Sequence, residues 1–169
     1  MRLSLAQWNE ADSETAMSTM LACCGAHRWA ESMIAHRPIA DEQELHEIAG
    51  RAWGNMNEAD WMEAFACHPR IGDRKSAHAS SQSATWSQQE QSSVISAAET
   101  TLTQLAEGNA RYEDRFGFTY IVCATGKSPE EMLSILKRRL SGDLSSEMRE
   151  AAEQQRQIMH IRLRKWLDQ

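Results

Sequence analysis

Apolar residues recur at helical spacing through most of the chain. Ser13 can cap one helix, another helix is expected to start near Asp41, and Asn57 can cap a third. The residue before a proline avoids helical geometry, so prolines mark helix ends. A short helix should therefore stop before Pro38, and the helix capped by Asn57 should end at His68. The front part of the chain thus predicts four short helices.

The middle of the chain is less regular. Residues 69–86 are rich in serine and have no hydrophobic period, which predicts a mobile loop. Residues 87–90, Ser-Gln-Gln-Glu, have the form of a capping box, and a long helix should follow them. Gly108 is expected to end or kink that helix. Residues 118–124 are rich in β-branched and aromatic side chains, so we predict an extended segment there.

The last third is helical again. Residues 128–131 combine a serine cap, a proline at the first helical position and a glutamate at the third. A final helix should run from about Ser145 nearly to the end. One face of it carries a mostly apolar stripe: Met148, Ala151, Ala152, Gln155, Ile158, Met159, Arg162 and Trp166. We therefore predict an all-α fold, a single-domain helical bundle over residues 1–169 with one short extended segment near 118–124.

Composition excludes several function classes. The chain has 169 residues, of which 41% are hydrophobic and 25% charged, as in ordinary globular proteins. The net charge is −6, and residues 1–66 alone carry 4 basic and 11 acidic side chains. Such an acidic surface argues against nucleic acid as the main partner. No apolar stretch is long enough to span a membrane, and the polar residues that follow Leu5 argue against a signal peptide.

Neither cysteine nor histidine shows a metal-binding or disulfide pattern. The four cysteines include no Cys-x-x-Cys pair, so we interpret them as reduced thiols in a cytoplasmic protein. The six histidines form no pair at ligand spacing, so no metal site is expected.

His68 is the first candidate for chemistry, because imidazole moves protons near neutral pH. On position alone, an ordinary surface histidine at a helix end explains it better. Cys67 could suggest a nucleophile beside its base. Adjacent helical residues rarely face each other, however, so Cys67 is expected to be a small core residue.

Glu90 and Arg162 each allow two interpretations. Glu90 could simply complete a capping box, or it could lie at a helix N-terminus that attracts an anionic ligand. Arg162 interrupts an apolar stripe, where a charge is costly unless it is paired. Its methylene chain could cover apolar surface while its guanidinium lies in water. Alternatively, the planar guanidinium could bind a carboxylate in a pocket through two hydrogen bonds. The pattern alone supports both interpretations of Arg162 equally.

Four short motifs, taken together, resemble a known family. His68-Pro69-Arg70-Ile71-Gly72 resembles the His-Pro motif of the 2-oxo-4-hydroxy-4-carboxy-5-ureidoimidazoline (OHCU) decarboxylases. Ser87-x-x-Glu90-Gln91 is similar to that family's Ser-x-x-Glu-Gln. Residues 115–118, Arg-Phe-Gly-Phe, followed by residues 120–124, resemble its third motif, and Ile158-x-x-x-Arg162-Leu163 its C-terminal one. Some relatives carry Asp-Leu after the His-Pro, where this chain has Arg70-Ile71.

The resemblance implies an all-α enzyme of urate degradation. The reaction would be the loss of CO2 from OHCU, which yields (S)-allantoin, with neither a metal nor an organic cofactor. The partner would be a small anionic ureidoimidazoline, with no nucleic acid and no membrane, and the resemblance also suggests a homodimer. The carbon that loses CO2 lies beside a ring C=N bond, so the substrate can supply its own electron sink. The enzyme then has to orient the carboxylate and move protons.

The resemblance also implies roles for individual residues. His68 would be the acid/base residue, and Glu90 would bind substrate N–H groups and orient His68. Arg162 would hold an anionic or carbonyl group. Substrate contacts are expected from Pro69, Ser87, Gln88, Gln89, Glu90, Gln91, Tyr120, Ile121, Val122, Cys123, Ala124 and Arg162.

Two other function classes are compatible with the pattern. A non-catalytic helical interaction module would explain the helices and the six tryptophans, but not a charge on the apolar stripe. A hydrolase that depends on Cys67 would require inactivation by a thiol reagent and protection by its substrate.

Overall fold

The computed structural model describes residues 3–71, 80–92 and 98–168. Within these ranges the chain is helical and contains no β-strand, so the predicted all-α class is confirmed. The helices are α1 (Leu5–Glu10), α2 (Ser13–Cys23), α3 (His27–Ala35), α4 (Glu42–Gly54), α5 (Glu58–Ala66), α6 (Ser81–Glu90), α7 (Glu99–Phe116), α8 (Pro129–Arg139) and α9 (Leu144–Leu167).

The chain divides into two compact units. The first contains Met1–Ala64 together with Arg156–Gln169, and the second contains Phe65–Gln155. Helix α9 contributes its first half to the second unit and its second half to the first. The single domain over residues 1–169 remains a prediction.

Tryptophans occupy the centre of the first unit. Trp8 and Trp29 are fully buried, and each indole N–H donates to a backbone carbonyl, 3.1 Å to Ala16 and 3.2 Å to Ala49. The ring of Trp8 meets that of Trp166 edge to face at 5.9 Å. Such large rings supply much of the buried area, and the two bonds satisfy their polar ends.

Most helix starts follow the sequence signals. Asp41 caps α4, and the Asn57 side chain accepts the Asp60 N–H at 3.1 Å at the start of α5. Ser128 and Glu131 form the predicted capping box of α8. The cap predicted at Ser13 is wrong by one residue, because Asp12 accepts the Thr15 N–H at 2.8 Å.

The predicted start of a helix at Ser87 is wrong. Helix α6 begins about two turns earlier, where the Ser80 side chain accepts the Ser83 N–H at 3.1 Å. Ser87 is therefore a buried residue inside the helix, and Glu90 is its last residue. Of the loop predicted over residues 69–86, residues 81–86 are helical, and residues 72–79 lie outside the described part of the chain.

Gly108 does not end α7, which continues through it to Phe116. The glycine allows a close approach of α8: a Cβ added at Gly108 would lie 2.5 Å from Cδ2 of Leu136. Helix α7 ends at Gly117, whose φ of 80° suits a residue without a side chain. Residues 119–124 then run without helix or strand pairing, and Tyr120 through Ala124 are all buried.

Candidate functional site

His68 lies just beyond the end of α5, where its N–H still donates to the carbonyl of Phe65 at 3.1 Å. The following Pro69 is buried, while the imidazole is half-buried. Nε2 of His68 lies 2.7 Å from Oε1 of Gln155 on α9. The ring is thus held by a neighbour on a distant part of the second unit and still reaches the surface.

Gln155 is the residue that sequence reasoning did not single out. It is fully buried, and its amide nitrogen has no hydrogen-bond partner among the described residues. The available signal was its place on the apolar stripe of α9, between Ala152 and Ile158. Burying an amide without a hydrogen bond destabilises the folded state, so a glutamine on an apolar stripe indicates a specific hydrogen-bond partner.

The 120–124 segment is held mainly through its backbone. The carbonyl of Ile121 accepts Nη1 of Arg139 at 2.6 Å. The N–H of Cys123 donates a hydrogen bond to Oε1 of Gln154 at 2.9 Å. The carbonyl of Cys123 accepts a hydrogen bond from Nζ of Lys127 at 2.7 Å. The Cys123 N–H therefore already has a protein acceptor in this structure.

A buried polar cluster supports this segment. Arg139 and Glu147 are 4% and 5% exposed, and Nε of Arg139 donates to Oε2 of Glu147 at 2.9 Å. The hydroxyl of Tyr112 donates to the same carboxylate oxygen at 2.6 Å. Burial raises the pKa of Tyr112 above its ordinary value, so the phenol stays protonated and remains a donor.

The serine–glutamate motif lies at the end of α6, in the same unit as His68 and residues 120–124. Ser87 is buried, Gln88 and Gln89 are exposed, and Glu90 and Gln91 are half-buried. The motif is therefore at a helix C-terminus and not at the expected N-terminus. The predicted attraction of an anion by free N–H groups does not apply to it.

Arg70 is tied to the helix that precedes the 120–124 segment. Its Nε donates to Oε1 of Glu113 on α7 at 2.7 Å, and Nη2 bonds the other carboxylate oxygen. An open depression of about 360 Å³ adjoins this pair and is lined also by Gly117, Phe118 and Thr119. The residue that departs from some relatives' Asp-Leu thus has a structural partner.

Arg162 belongs to the first unit and is only 2% exposed, which excludes the interpretation that leaves its guanidinium in water. Its Nη1 lies 3.4 Å from the carbonyl of Ala22. Burial raises the pKa of the adjacent Cys23 to about 12, although the nearby guanidinium opposes the rise. The thiol is therefore neutral at physiological pH and does not balance the arginine's charge.

Two histidines that the sequence did not connect meet in the first unit. Nδ1 of His46 lies 2.8 Å from Nδ1 of His160, and Glu42 is 3.7 Å from the other side of the His46 ring. Burial lowers the pKa of His46. Across the described ranges no group of three metal-ligating side chains is found. None of the described helices combines the length and hydropathy that a bilayer crossing requires.

Comparison with known proteins connects these features. The model of the OHCU decarboxylase family matches residues 9–164. The chain is 34% identical over 144 residues to the uric acid degradation bifunctional protein TTL of Arabidopsis thaliana, covering 85% of this chain and 44% of that protein. It is 25% identical over 134 residues to the OHCU decarboxylase of Amia calva, covering 79% of this chain and 77% of the other.

Structure comparison gives the same result. The crystal structure of an OHCU decarboxylase in the presence of (S)-allantoin superposes with a TM-score of 0.77 and 32% identity, covering 90% of this chain and 99% of the other. The matched residues contain all four sequence motifs in full, from the His-Pro motif at His68 to the C-terminal motif with Arg162. The chain belongs to the OHCU decarboxylase family.

Proposed function

We propose that this chain removes CO2 from OHCU to give (S)-allantoin, with His68 as the acid/base residue. The observation that carries the role of His68 is its geometry. The imidazole is half-exposed at a helix end, and its Nε2 is fixed by the buried amide of Gln155. An oriented ring that still reaches a ligand is what proton transfer requires.

The chemistry needs little beyond orientation and proton transfer. When the carboxylate of OHCU stands out of the ring plane, the breaking C–C bond overlaps with the adjacent C=N. The electron pair left by CO2 is then delocalised into the ring as an enol. The hydroxyl of that carbon loses its proton as the carbonyl forms, and one face of the neighbouring, ureido-bearing carbon is protonated, which creates the stereocentre of allantoin. We propose that no metal or organic cofactor takes part.

The other predicted residues keep their proposed roles. Glu90 would bind N–H groups of the substrate and orient His68, while Ser87 and Gln91 would add hydrogen bonds. Pro69 and the 120–124 segment would line the site, and Arg162 would hold an anionic or carbonyl group through its fork. A cytoplasmic location and a homodimer are part of the same proposal.

The test is turnover of freshly generated OHCU, followed by the appearance of optically active allantoin against the slow spontaneous background. The wild-type chain should produce the signal. His68→Ala should lower kcat by about 10²–10⁴-fold, the usual contribution of a general acid/base. The circular dichroism spectrum should remain that of the wild type.

A matched control is His36→Ala, because His36 is exposed at the end of α3. It should retain wild-type turnover. Near wild-type turnover in His68→Ala would remove His68 from the mechanism. Absence of turnover in the wild-type chain would refute the function itself, and an interaction module would then be the better interpretation.

A further inference from the structure

We propose that Gln155 is a positioning residue that keeps the proton on Nε2 of His68, so that Nδ1 is the atom that exchanges protons with the substrate. The inference rests on the proposed function for its catalytic meaning. The geometry on which it stands is independent of that function.

The contact between Gln155 and His68 determines which ring nitrogen carries a hydrogen. Oε1 of Gln155 lies 2.7 Å from Nε2 of His68, a normal hydrogen-bond distance. An amide oxygen only accepts hydrogen bonds. Nε2 must therefore carry a hydrogen, either in the neutral Nε2–H tautomer or in the imidazolium. The neutral Nδ1–H tautomer would set two lone pairs against each other.

Only one nitrogen of the His68 ring is then able to gain or lose a proton. If Nε2 retains its hydrogen on Gln155 in both charge states, only Nδ1 differs between them. The neutral ring accepts a proton at Nδ1, and the imidazolium returns one from Nδ1. Each transfer leaves the Nε2–H···O bond intact, so the ring need not rotate between accepting and donating.

Gln155 is poorly explained as a structural residue. The side chain is fully buried, and its amide nitrogen lacks a partner among the residues that the structure describes. A buried donor without an acceptor destabilises the folded state. An apolar side chain of the same length would remove that penalty. We therefore attribute the amide to its hydrogen bond with His68, which it makes although it lowers the stability of the fold.

The neighbouring Gln154 shows the contrast. Its amide oxygen accepts the Cys123 N–H at 2.9 Å, and its amide nitrogen donates to Glu150 at 3.0 Å. Both of its polar ends are bonded within the second unit. It therefore offers a control on the same helix, one residue away, with the same side chain.

The experiment reads the tautomer directly. Long-range ¹H–¹⁵N correlation spectra of protein labelled at histidine distinguish Nε2–H from Nδ1–H, and His68→Asn assigns the His68 signals. In the wild type, the neutral form should be Nε2–H. In Gln155→Met it should become a mixture, and in Gln154→Met it should stay Nε2–H.

Kinetics and stability complete the test. Gln155→Met should lower kcat by about 10- to 100-fold, part of the contribution of the acid/base residue, with KM within about twofold. Its melting temperature should equal or exceed that of the wild type. Gln155→Glu keeps the acceptor, so it should retain the tautomer and most of kcat. Its carboxylate favours the imidazolium and should move the acid limb of the pH profile upward.

Three outcomes would overturn the proposal: an Nδ1–H tautomer in the wild type, an unchanged tautomer in Gln155→Met, or a lower melting temperature in that variant with kcat unchanged. If Gln155→Met does not fold, the wild-type and Gln155→Glu spectra still decide. The spectra need no turnover, so a failure of the proposed decarboxylation is distinguishable from a failure of this assignment.

Discussion

Helix α9 carries two polar clusters of opposite character within the second unit. Glu147 and Gln155 are separated by eight residues, roughly 12 Å along the axis. Around Glu147, the buried carboxylate accepts bonds from Arg139 and Tyr112, and Arg139 also donates to the carbonyl of Ile121. Around Gln155, the amide oxygen bonds the half-exposed His68, and the buried amide nitrogen has no partner among the described residues.

The difference separates structural from chemical use of buried polar groups. A cluster that satisfies its donors and acceptors internally gains rigidity and offers a ligand little. A cluster with an unbonded donor and an imidazole near the surface stabilises the folded state less, but its imidazole can exchange protons with a ligand. We therefore expect variants of the first cluster to change stability and variants of the second to change turnover.

The largest expected effect on stability is that of Glu147→Gln. The change leaves the buried guanidinium of Arg139 without its counter-charge, which typically costs about 3–5 kcal/mol. For a chain of this size that corresponds to a fall of roughly 6–20 °C in Tm. Thermal unfolding followed by circular dichroism measures it.

A double variant, Arg139→Met with Glu147→Met, serves as the control. Replacing both partners by apolar side chains removes the unpaired charge, so much of the lost stability should return. If Glu147→Gln proved as stable as the wild type, the first cluster would not have the structural role assigned to it.

In the first unit, Arg162→Met should show whether Arg162 binds substrate or stabilises the fold. If Arg162 binds substrate, kcat/KM should fall by about one to two powers of ten, since charged hydrogen bonds contribute roughly 1.5–3 kcal/mol each. Tm should remain near that of the wild type or rise. Arg162→Lys should rescue only part of the activity, because an ammonium lacks the two-pronged geometry.

The matched control is the same substitution at the other buried arginine, Arg139→Met, which should lower Tm by stranding Glu147. Unchanged kcat/KM in Arg162→Met would end its proposed binding role. A large loss of Tm there would instead make it a structural partner like Arg139.

Gly108→Ala should have a smaller effect, confined to the first cluster. Helices α7 and α8, which carry Tyr112 and Arg139, approach at this glycine. The new methyl group must displace Leu136, which costs about 1–3 kcal/mol and is offset in part by roughly 1 kcal/mol of helix propensity. Urea unfolding should show a net loss of about 1 kcal/mol.

Gly54→Ala provides the comparison, because nothing lies within 4 Å of a Cβ added at the end of α4. That variant should be at least as stable as the wild type. Equal stability of both variants would show that the close approach at Gly108 contributes nothing.

Metal removal should affect neither cluster. The described residues contain no three-ligand group, and the proposed chemistry needs no Lewis acid. Turnover should therefore survive prolonged treatment with EDTA followed by dialysis. Loss of turnover that one specific metal restores would contradict this expectation.

Local signals predicted the parts of the fold that local hydrogen bonds decide. The caps at Asp41, Asn57 and Ser128 form because a side chain reaches an N–H within the next three residues. The error at Ser87 arose in a serine-rich stretch that offers several equivalent caps. Trp86 and Ser87 are both buried, which favours a helix that begins at Ser80 and places them in its interior.

The candidate site was only partly accessible from sequence. Arg162 was found because a charge on an apolar stripe is conspicuous, and His68 because its motif resembles a family. The partner of His68 lies 87 residues away, and the contact between His46 and His160 spans 114. Such pairings follow from tertiary packing, which short patterns do not encode.

The uneven exposure of the four thiols gives an experimental handle. Cys23, Cys24 and Cys123 are buried, whereas Cys67 is half-exposed. A maleimide or fluorinated reagent should therefore label the folded protein selectively one residue before His68. A fluorophore or ¹⁹F probe there would report ligand occupancy in real time, and a labelled protein that still turns over OHCU would exclude a Cys67 nucleophile.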